Sequence, residues 1–370
     1  MPFQIIRNDI TKVKADVIVN TANPHPVVGR GTDSAIYAAA GEELLLAERE
    51  KIGDIARGQA AYTPAFGLQA KYIIHTVGPS WDGGNHGERE TLHSCYANSL
   101  ALAAELEAES IAFPLIATGV YGFPKDEALN IALAEIGKFL LTHDMMVTLV
   151  VFDKKAFELS GELVGEIQEF IDEHGVGVAR ETEYGDFDSR EWRRRRRLQE
   201  ELEAERRISY HSRLEEIEEL VPMANEPPVG IPDGMTEAAP HMDLEGKSLE
   251  DVLGGAGDTF QQRLFKLIDD SGLDDVTVYK RANIDRKVFS RIRSKKNYQP
   301  KKRTAVAFAI ALELDLPTME DLLSRAGFAF SPSDTFDLII AYFVTKKNYD
   351  ILQIDAALFK YGQPTLFSEE

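Results

Sequence analysis

Strand-like runs alternate with helix-like stretches through the first 178 residues, and this alternation constrains the fold more than any other feature. Short apolar runs predict six strands, at Phe3–Ile6, Val17–Asn20, Ala60–Pro64, Tyr72–Val77, Ile111–Ile116 and Val147–Phe152. Longer stretches with helical spacing of apolar residues lie between and after them, at Ala35–Lys51, Glu88–Glu107, Lys125–Leu141 and Ala156–His174. Strands separated by helices indicate an α/β fold, with a mixed or parallel sheet covered by helices on both faces.

Polar and glycine-containing segments follow four of the predicted strands. They are Asn8–Thr11, Asn20–Asn23, Ala117–Pro124 and Phe152–Asp153. In sheets of this kind, ligands bind at the carboxyl ends of the strands. A carboxylate, two carboxamides, two glycine loops and aromatic side chains at one edge suit a ligand with a base, phosphates and sugars.

The segment Val19–Gly41 predicts a strand that ends in a loop with Gly29 and Gly31 and then enters a helix near Asp33. A helix start of this kind presents backbone N–H groups and the positive end of a dipole, which suits a phosphate. An ordinary strand-to-helix connection without a ligand explains the same segment.

Five motifs together resemble the macro domain, an ADP-ribose-binding module. They are N-D-I-T at Asn8–Thr11, V-N-T-A-N at Val19–Asn23, G-R-G-T-D at Gly29–Asp33, Y-I-I-H-T-V-G-P at Tyr72–Pro79 and T-G-V-Y-G-F-P at Thr118–Pro124. The resemblance covers residues 1–178. It implies a three-layer α/β/α fold with a mixed sheet.

The resemblance also implies an ADP-ribose site. The adenine would lie against Asp9, Ile10 and Phe152. Two loops would hold the diphosphate and the distal ribose, with side chains and backbone from Asn20, Asn23, Gly29, Arg30, Gly31, Thr118, Gly119, Val120, Tyr121, Gly122 and Phe123.

Hydrolysis is implied by a narrower resemblance to the MacroD-type hydrolases, in which an aspartate follows the second asparagine of the N-x-x-N motif by ten residues. Asn23 and Asp33 keep that spacing and are the candidate catalytic residues. Asp33 would activate a water for attack on an ADP-ribosyl ester, such as modified Asp or Glu or O-acetyl-ADP-ribose. Alternatively Asp33 only caps the helix. Val28 and Arg30 replace two glycines of that group's loop, which favours binding over turnover.

Composition excludes several classes of protein. The chain has 370 residues and a net charge of −20, and no apolar run reaches the roughly 18 residues of a membrane span. Cys95 is the only cysteine, so an internal disulfide and a cysteine-based zinc site are excluded. No metal-ligand spacing and no cofactor motif is found. We expect a cytoplasmic protein without membrane contact, and a homodimer is left open.

Residues 179–257 differ in composition from the regions on either side. Ser189–Val221 is charged and helix-compatible, and it contains five consecutive arginines at Arg193–Arg197. A segment rich in Pro and Gly follows and predicts a linker. From residue 258 to residue 370, short amphipathic segments predict an all-helical domain.

The segment Tyr279–Arg303 is strongly basic in an acidic chain, with eleven Lys and Arg residues and one acid. Its pattern of helix, tight turn and helix resembles the helix-turn-helix of Xre/Cro-type repressors, whose second helix enters the DNA major groove. The candidate contacts to DNA or RNA are Lys280, Arg281, Arg286, Lys287, Ser290, Arg291 and Arg293. Contact with an acidic partner, including the acidic first domain of this protein itself, explains the same charge. Two further functions therefore stay open: an ADP-ribose sensor coupled to nucleic acid, and removal of ADP-ribose from nucleic acid.

Overall fold

A single six-stranded sheet forms the centre of the structure, a computed structural model that describes residues 3–152, 157, 159–175, 258–295 and 298–367. The strands are β1 (Phe3–Arg7), β2 (Val17–Thr21), β3 (Ala60–Pro64), β4 (Tyr72–Thr76), β5 (Ser110–Pro114) and β6 (Met146–Val151). Their order is β1-β6-β5-β2-β4-β3. Neighbours pair in parallel except β3, which pairs antiparallel with β4. The predicted mixed α/β sheet is confirmed.

Helices cover both faces of this sheet because successive residues of its strands point to opposite sides. Val17 and Val19 belong to one hydrophobic cluster with the helices Glu88–Glu105 and Lys125–Leu140, whereas Ile18 belongs to a second cluster with the helix Thr32–Ala40. The helices of this region are α1 (Thr32–Ala40), α2 (Glu42–Ile52), α3 (Glu88–Glu105), α4 (Lys125–Leu140) and α5 (Gly161–His174).

The prediction of one continuous helix after β2 was wrong. The helix expected over Ala35–Lys51 is divided at Gly41, which has φ +102 and ends α1 before α2 begins. Such a backbone conformation is open to glycine and breaks the helical ladder. In the last turn of α2, Arg49 is buried.

The C-terminal region is helical, as predicted. Its helices are α6 (Phe260–Ser271), α7 (Asp275–Arg281), α8 (Arg286–Ser294), α9 (Lys302–Ala311), α10 (Leu316–Arg325), α11 (Thr335–Thr345) and α12 (Ile351–Lys360). None of the helices described here is long and apolar enough to cross a membrane. The predicted charged helix Ser189–Val221 and the linker after it lie outside the described residues.

The C-terminal helices share a hydrophobic core with the sheet and its helices. In α12, a methyl group of Leu352 packs closely over Gly137 of α4. Phe359 packs edge-on against Phe157, with ring centroids 4.9 Å apart. In α11, the Tyr342 hydroxyl donates to Glu166 of α5 at 2.8 Å. Residues 3–175 and 258–367 therefore form one compact unit where described, while the domain boundaries themselves stay a prediction.

Asn283 joins this helical region to the outer edge of β1. It lies in the turn between α7 and α8 with φ +53, a left-handed conformation that asparagine tolerates better than most residues. Its side chain accepts a hydrogen bond from Phe3 N at 2.7 Å and donates one to Phe3 O at 2.9 Å. The amide thus takes the place of a neighbouring strand and satisfies both backbone groups of a buried edge residue.

Replacing Asn283 with alanine is expected to lower the free energy of unfolding by about 1–3 kcal/mol, because Phe3 would lose both hydrogen-bond partners in a buried position. Asn283→Gly is the matched variant, since glycine accommodates the positive φ but also lacks the amide. Urea unfolding of the full-length protein measures both. A fully stable Asn283→Gly would mean that Asn283 matters only for the backbone conformation of the turn.

Candidate functional site

A cleft of about 630 Å³ opens at the carboxyl ends of β2 and β5, which are neighbours in the sheet. One wall is the loop from β2 to α1, and the other is the loop from β5 to α4. The lining residues are Thr21, Asn23, Val27, Val28, Gly29, Arg30, Gly31, Thr32, Asp33, Leu115, Ala117, Thr118, Gly119, Val120, Tyr121 and Lys125. The two predicted loops therefore face one cavity.

Asp33 is almost fully buried at the base of this cleft, in the first turn of α1. Its Oδ1 accepts a hydrogen bond from Asn20 Nδ2 at 2.6 Å, and its Oδ2 accepts one from Gly29 N. Burial raises the pKa of Asp33 above its ordinary value, while the hydrogen bonds from Asn20 and Gly29 and the charge of Arg49 act to lower it. A held carboxylate with a raised pKa is suited to accept a proton.

His75 of β4 lies behind Asn20 and extends a chain of buried polar groups. Its Nδ1 is 3.2 Å from Asn20 Nδ2, and its Nε2 is 3.0 Å from Thr63 Oγ1. Burial lowers the pKa of His75 to about 3, so the ring is neutral. Because an amide nitrogen only donates, Nδ1 accepts and Nε2 carries the proton. The chain thus orients Asn20 toward Asp33.

Gly29 must be glycine because of what surrounds it. A Cβ at this position would lie 2.6 Å from Asn23 Nδ2 and 2.9 Å from Asp33 Oδ2. Gly31 has φ +66, which also favours glycine. Neither Val28 nor Arg30 is among the described residues with positive φ. The loop thus keeps glycine at the two positions where its geometry requires one, and Val28 instead packs on the hydrophobic core.

The opposite loop turns sharply and leaves several of its backbone amides without a backbone acceptor. Ala117 and Gly122 have φ of +63 and +66. Phe123 N donates to Ala117 O at 3.1 Å, and Gly122 N donates to Gly119 O at 3.0 Å. Within the described part of the chain, the amides of residues 118–121 donate to no backbone oxygen. A run of unengaged N–H groups forms a site for an anion.

Apolar side chains stand exposed around the cleft and at the neighbouring strand ends. Val27 and Val120, on its two walls, are 55% and 76% exposed. Phe152, directly after β6, is 74% exposed. Asp9 follows β1 and accepts hydrogen bonds from Thr11 N and Oγ1 at 3.0 and 2.8 Å. These positions leave an apolar surface and a carboxylate at the same edge of the sheet.

Most of the predicted ADP-ribose-binding residues meet in the cleft, but some lie elsewhere. Asn20 is fully buried behind Asp33 and lines no part of it. Phe123 is buried against Trp81, with centroids 4.7 Å apart, and supports the loop from within. The remaining predicted residues outside the cleft lining are Asp9, Ile10, Gly122 and Phe152.

Three cations near the cleft were missed by the sequence analysis. Lys125 lines it at the start of α4. Arg57 stacks over the ring of Tyr121 at 5.4 Å from the centroid. Arg49 is buried behind the wall, and its helical spacing from Leu45 and Ile52 could have revealed it as a core-facing residue.

The basic segment is only partly available to a partner. Three of its predicted contacts are engaged within the protein: Lys280 Nζ donates to Leu141 O at 3.2 Å and lies 3.4 Å from Asp144, Arg281 pairs with Glu313, and Arg293 pairs with Asp275. The other four are exposed on α8, and they are Arg286, Lys287, Ser290 and Arg291. Phe289 and Ile292 of the same helix face the core.

The residues described here include no group of three or more His, Cys, Asp or Glu side chains arranged to hold a metal ion.

Known proteins that are similar to this chain match its first region. Residues 19–132 match the family model described as Macro domain. A macro domain-containing protein of Chlorobaculum tepidum is 50% identical over 135 residues, which are 36% of this chain and 78% of that protein. An O-acetyl-ADP-ribose deacetylase of Klebsiella pneumoniae is 46% identical over 157 residues, which are 41% of this chain and 90% of that protein. The solved Oceanobacillus iheyensis macrodomain with MES bound is 38% identical with a TM-score of 0.41, covering 45% of this chain and 91% of that one. The chain belongs to the macro domain family.

Proposed function

We propose that this protein binds ADP-ribose in the cleft and hydrolyses ADP-ribosyl esters, either O-acetyl-ADP-ribose or mono-ADP-ribosylated Asp and Glu. The position of Asp33 carries the proposal. The carboxylate is held by Asn20 and Gly29 at the base of a cleft whose other wall presents backbone amides. Relatives named O-acetyl-ADP-ribose deacetylase support the same reaction.

The binding mode follows from the two walls. The amides of residues 118–121 suit the diphosphate, and the exposed Arg30 adds a positive charge on the facing loop. Asn23, whose amide donates to Val27 O at 3.1 Å, lies where it can bind the hydroxyls of the distal ribose. Asp9, Ile10 and Phe152 would then receive the adenine beyond the cleft.

In the proposed reaction, Asp33 accepts a proton from a water as that water attacks the ester carbonyl. The bond between the acyl carbon and the ribose oxygen breaks, and the ribose oxygen takes up a proton. The products are a carboxylic acid and ADP-ribose. A raised pKa makes the ionised Asp33 a stronger base than an ordinary aspartate, and the bond from Asn20 keeps it oriented.

Asp33→Asn is expected to lower kcat by about 100- to 10,000-fold, the usual contribution of a general base, and to leave ADP-ribose binding in place. Asn23→Ala is expected to weaken binding as well as turnover, because it removes a contact to the ribose. The assay follows O-acetyl-ADP-ribose and a mono-ADP-ribosylated carboxylate with the full-length protein. Calorimetry measures the affinity for ADP-ribose.

Asp82→Asn is the matched control, since the Asp82 side chain is 86% exposed on another loop. It should leave both readouts unchanged. Equal turnover by wild type and Asp33→Asn would contradict the role of Asp33. Absence of turnover by the wild type at high enzyme concentration would rule out the hydrolase and leave a binding protein.

Gly29→Ala is expected to impair both turnover and ADP-ribose binding, because the added methyl group would displace Asn23 and Asp33 together. Overpacking of this kind costs about 1–3 kcal/mol. Gly165→Ala in α5 is the control, since a Cβ there meets nothing within 4 Å. Kinetics and thermal unfolding compare the two variants. Wild-type kinetics in a folded Gly29→Ala would contradict the tight packing of this loop.

We propose nucleic-acid binding as a second function, with α8 as the helix that contacts DNA or RNA. The supporting observation is that Arg286, Lys287 and Arg291 are exposed on α8. Two basic residues of α7 and one at the end of α8 are instead engaged with acids of the protein. Ser290 lies among them and suits a phosphate oxygen. The resemblance to a helix-turn-helix favours DNA in the major groove.

The double variant Arg286→Ala/Arg291→Ala is expected to weaken binding to DNA or RNA and to reduce the slope of log K against log salt by about 2, one for each lost phosphate contact. Lys51→Ala/Lys360→Ala removes two exposed charges elsewhere and serves as the control. Fluorescence anisotropy at several salt concentrations measures the slope.

Binding that does not depend on salt, or that survives in the double variant, would contradict the assignment to α8.

The sensor function also requires that ADP-ribose and nucleic acid change each other's affinity by the same factor. Titrations with and without the other ligand decide this. Comparing ADP-ribosylated protein with ADP-ribosylated DNA as substrates tests the third function, removal of ADP-ribose from nucleic acid.

A further inference from the structure

Arg49 is a charged side chain in an unusual place. It lies in the last turn of α2, it is 1% exposed, and it aligns with the core residue Leu45 one turn earlier. Burying a guanidinium is costly unless its N–H groups are satisfied. The contacts that Arg49 makes therefore indicate what holds it there.

Its hydrogen bonds within the described residues go to three carbonyl oxygens. The guanidinium donates to Gly53 O at the end of α2, to Asn23 O at 3.3 Å and to Pro24 O at 3.2 Å. Arg49 thereby ties the loop after β2 to α2. Asn23 is held through its backbone, so its side chain stays free to bond Val27 O and to face the cleft.

The charge of Arg49 also acts on Asp33. Its field lowers the pKa of Asp33, opposing the effect of burial, which raises it. The other groups packed around Asp33 bring no charge from behind: Asn20 is an amide, His75 is neutral, and burial raises the pKa of Tyr37 to about 12. Arg30 lies exposed on the same loop, on the solvent side, and Asp54 acts on Arg49 itself.

We propose that Arg49 is a positioning residue of the cleft, which fixes the backbone of Asn23 and supports Asp33 as a carboxylate from behind. It lines no part of the cleft, so it acts without touching the ligand. The proposal rests on the proposed function, because it assigns a role in the same reaction. Arg49 would contribute in two ways, through its hydrogen bonds to the loop and through its buried positive charge.

Two variants of the full-length protein separate these contributions. Arg49→Lys keeps the charge but carries all its donors on one nitrogen, so it cannot reproduce the bonds that the two guanidinium nitrogens make on either side. In this variant kcat should fall about tenfold or more from misplacement of Asn23. Its acid limb in the pH profile of kcat/KM should stay near that of the wild type. Arg49→Gln loses the charge as well, so the pKa of Asp33 should rise and the acid limb should move to higher pH.

Lys51→Gln is the matched control, because it removes a positive charge from the same turn of α2 at an exposed position. Solvent screens that charge, so both kcat and the acid limb should stay unchanged. Thermal unfolding of each variant checks that it is folded. ADP-ribose affinity is measured in parallel with turnover.

A folded Arg49→Gln with the wild-type acid limb would overturn the role of the charge. If Arg49→Gln does not fold, Arg49→Lys decides, and wild-type kcat in that variant would overturn the role of the hydrogen bonds. Either result leaves the proposed hydrolase function standing, because the wild-type protein turns over substrate in both experiments. A wild type that neither binds nor turns over its substrate would instead refute the proposed function.

Discussion

The hydrogen bond from Asn20 to Asp33 is the interaction on which the site depends. It is the last link of a buried chain of polar side chains that starts at Thr63 and passes through His75. This chain runs across three neighbouring strands, β3, β4 and β2, and ends on α1. Each link fixes the donor and acceptor roles of the next, because His75 is neutral and Asn20 Nδ2 can only donate. A carboxylate can be kept almost dry at the base of a cleft because its partners are built into the sheet.

The cleft also shows how an acidic protein can receive an anionic ligand. The net charge of −20 opposes the approach of a diphosphate at long range. At short range, the amides of residues 118–121 present partial positive charges that belong to the backbone and do not titrate. Arg30 and Lys125 line this cavity and Arg57 lies over the ring of Tyr121 in its wall, so side-chain cations also lie close to it. The backbone amides and cations around the cleft therefore offset the acidic average of the chain at this site.

Much of this architecture could be predicted from the sequence, for physical reasons that also explain the failures. Strands buried on both faces read as apolar runs, so β2, β5 and β6 were found with small errors at their ends. Because parallel strands end at the same edge of a sheet, the loops that follow these strands could be predicted to lie side by side. What could not be predicted depends on contacts distant in sequence. Arg49 satisfies its N–H groups on carbonyls 25 and 26 residues away, and Lys280 finds Asp144. A composition of basic residues does not reveal which of them are already paired.

The contact between Asn283 and Phe3 has a consequence for how the chain is made. The two residues are 280 positions apart, so the edge of β1 is closed by a residue that leaves the ribosome long after the sheet is complete. Roughly 130 residues lie between the end of β6 and Asn283, which at about 5–20 residues per second takes on the order of 10 s. Through that interval the nascent sheet carries an unpaired parallel strand at its edge, a template for contact with other chains. The helical region is made after the sheet, and its packing on β1 ends the period in which this edge is open to association.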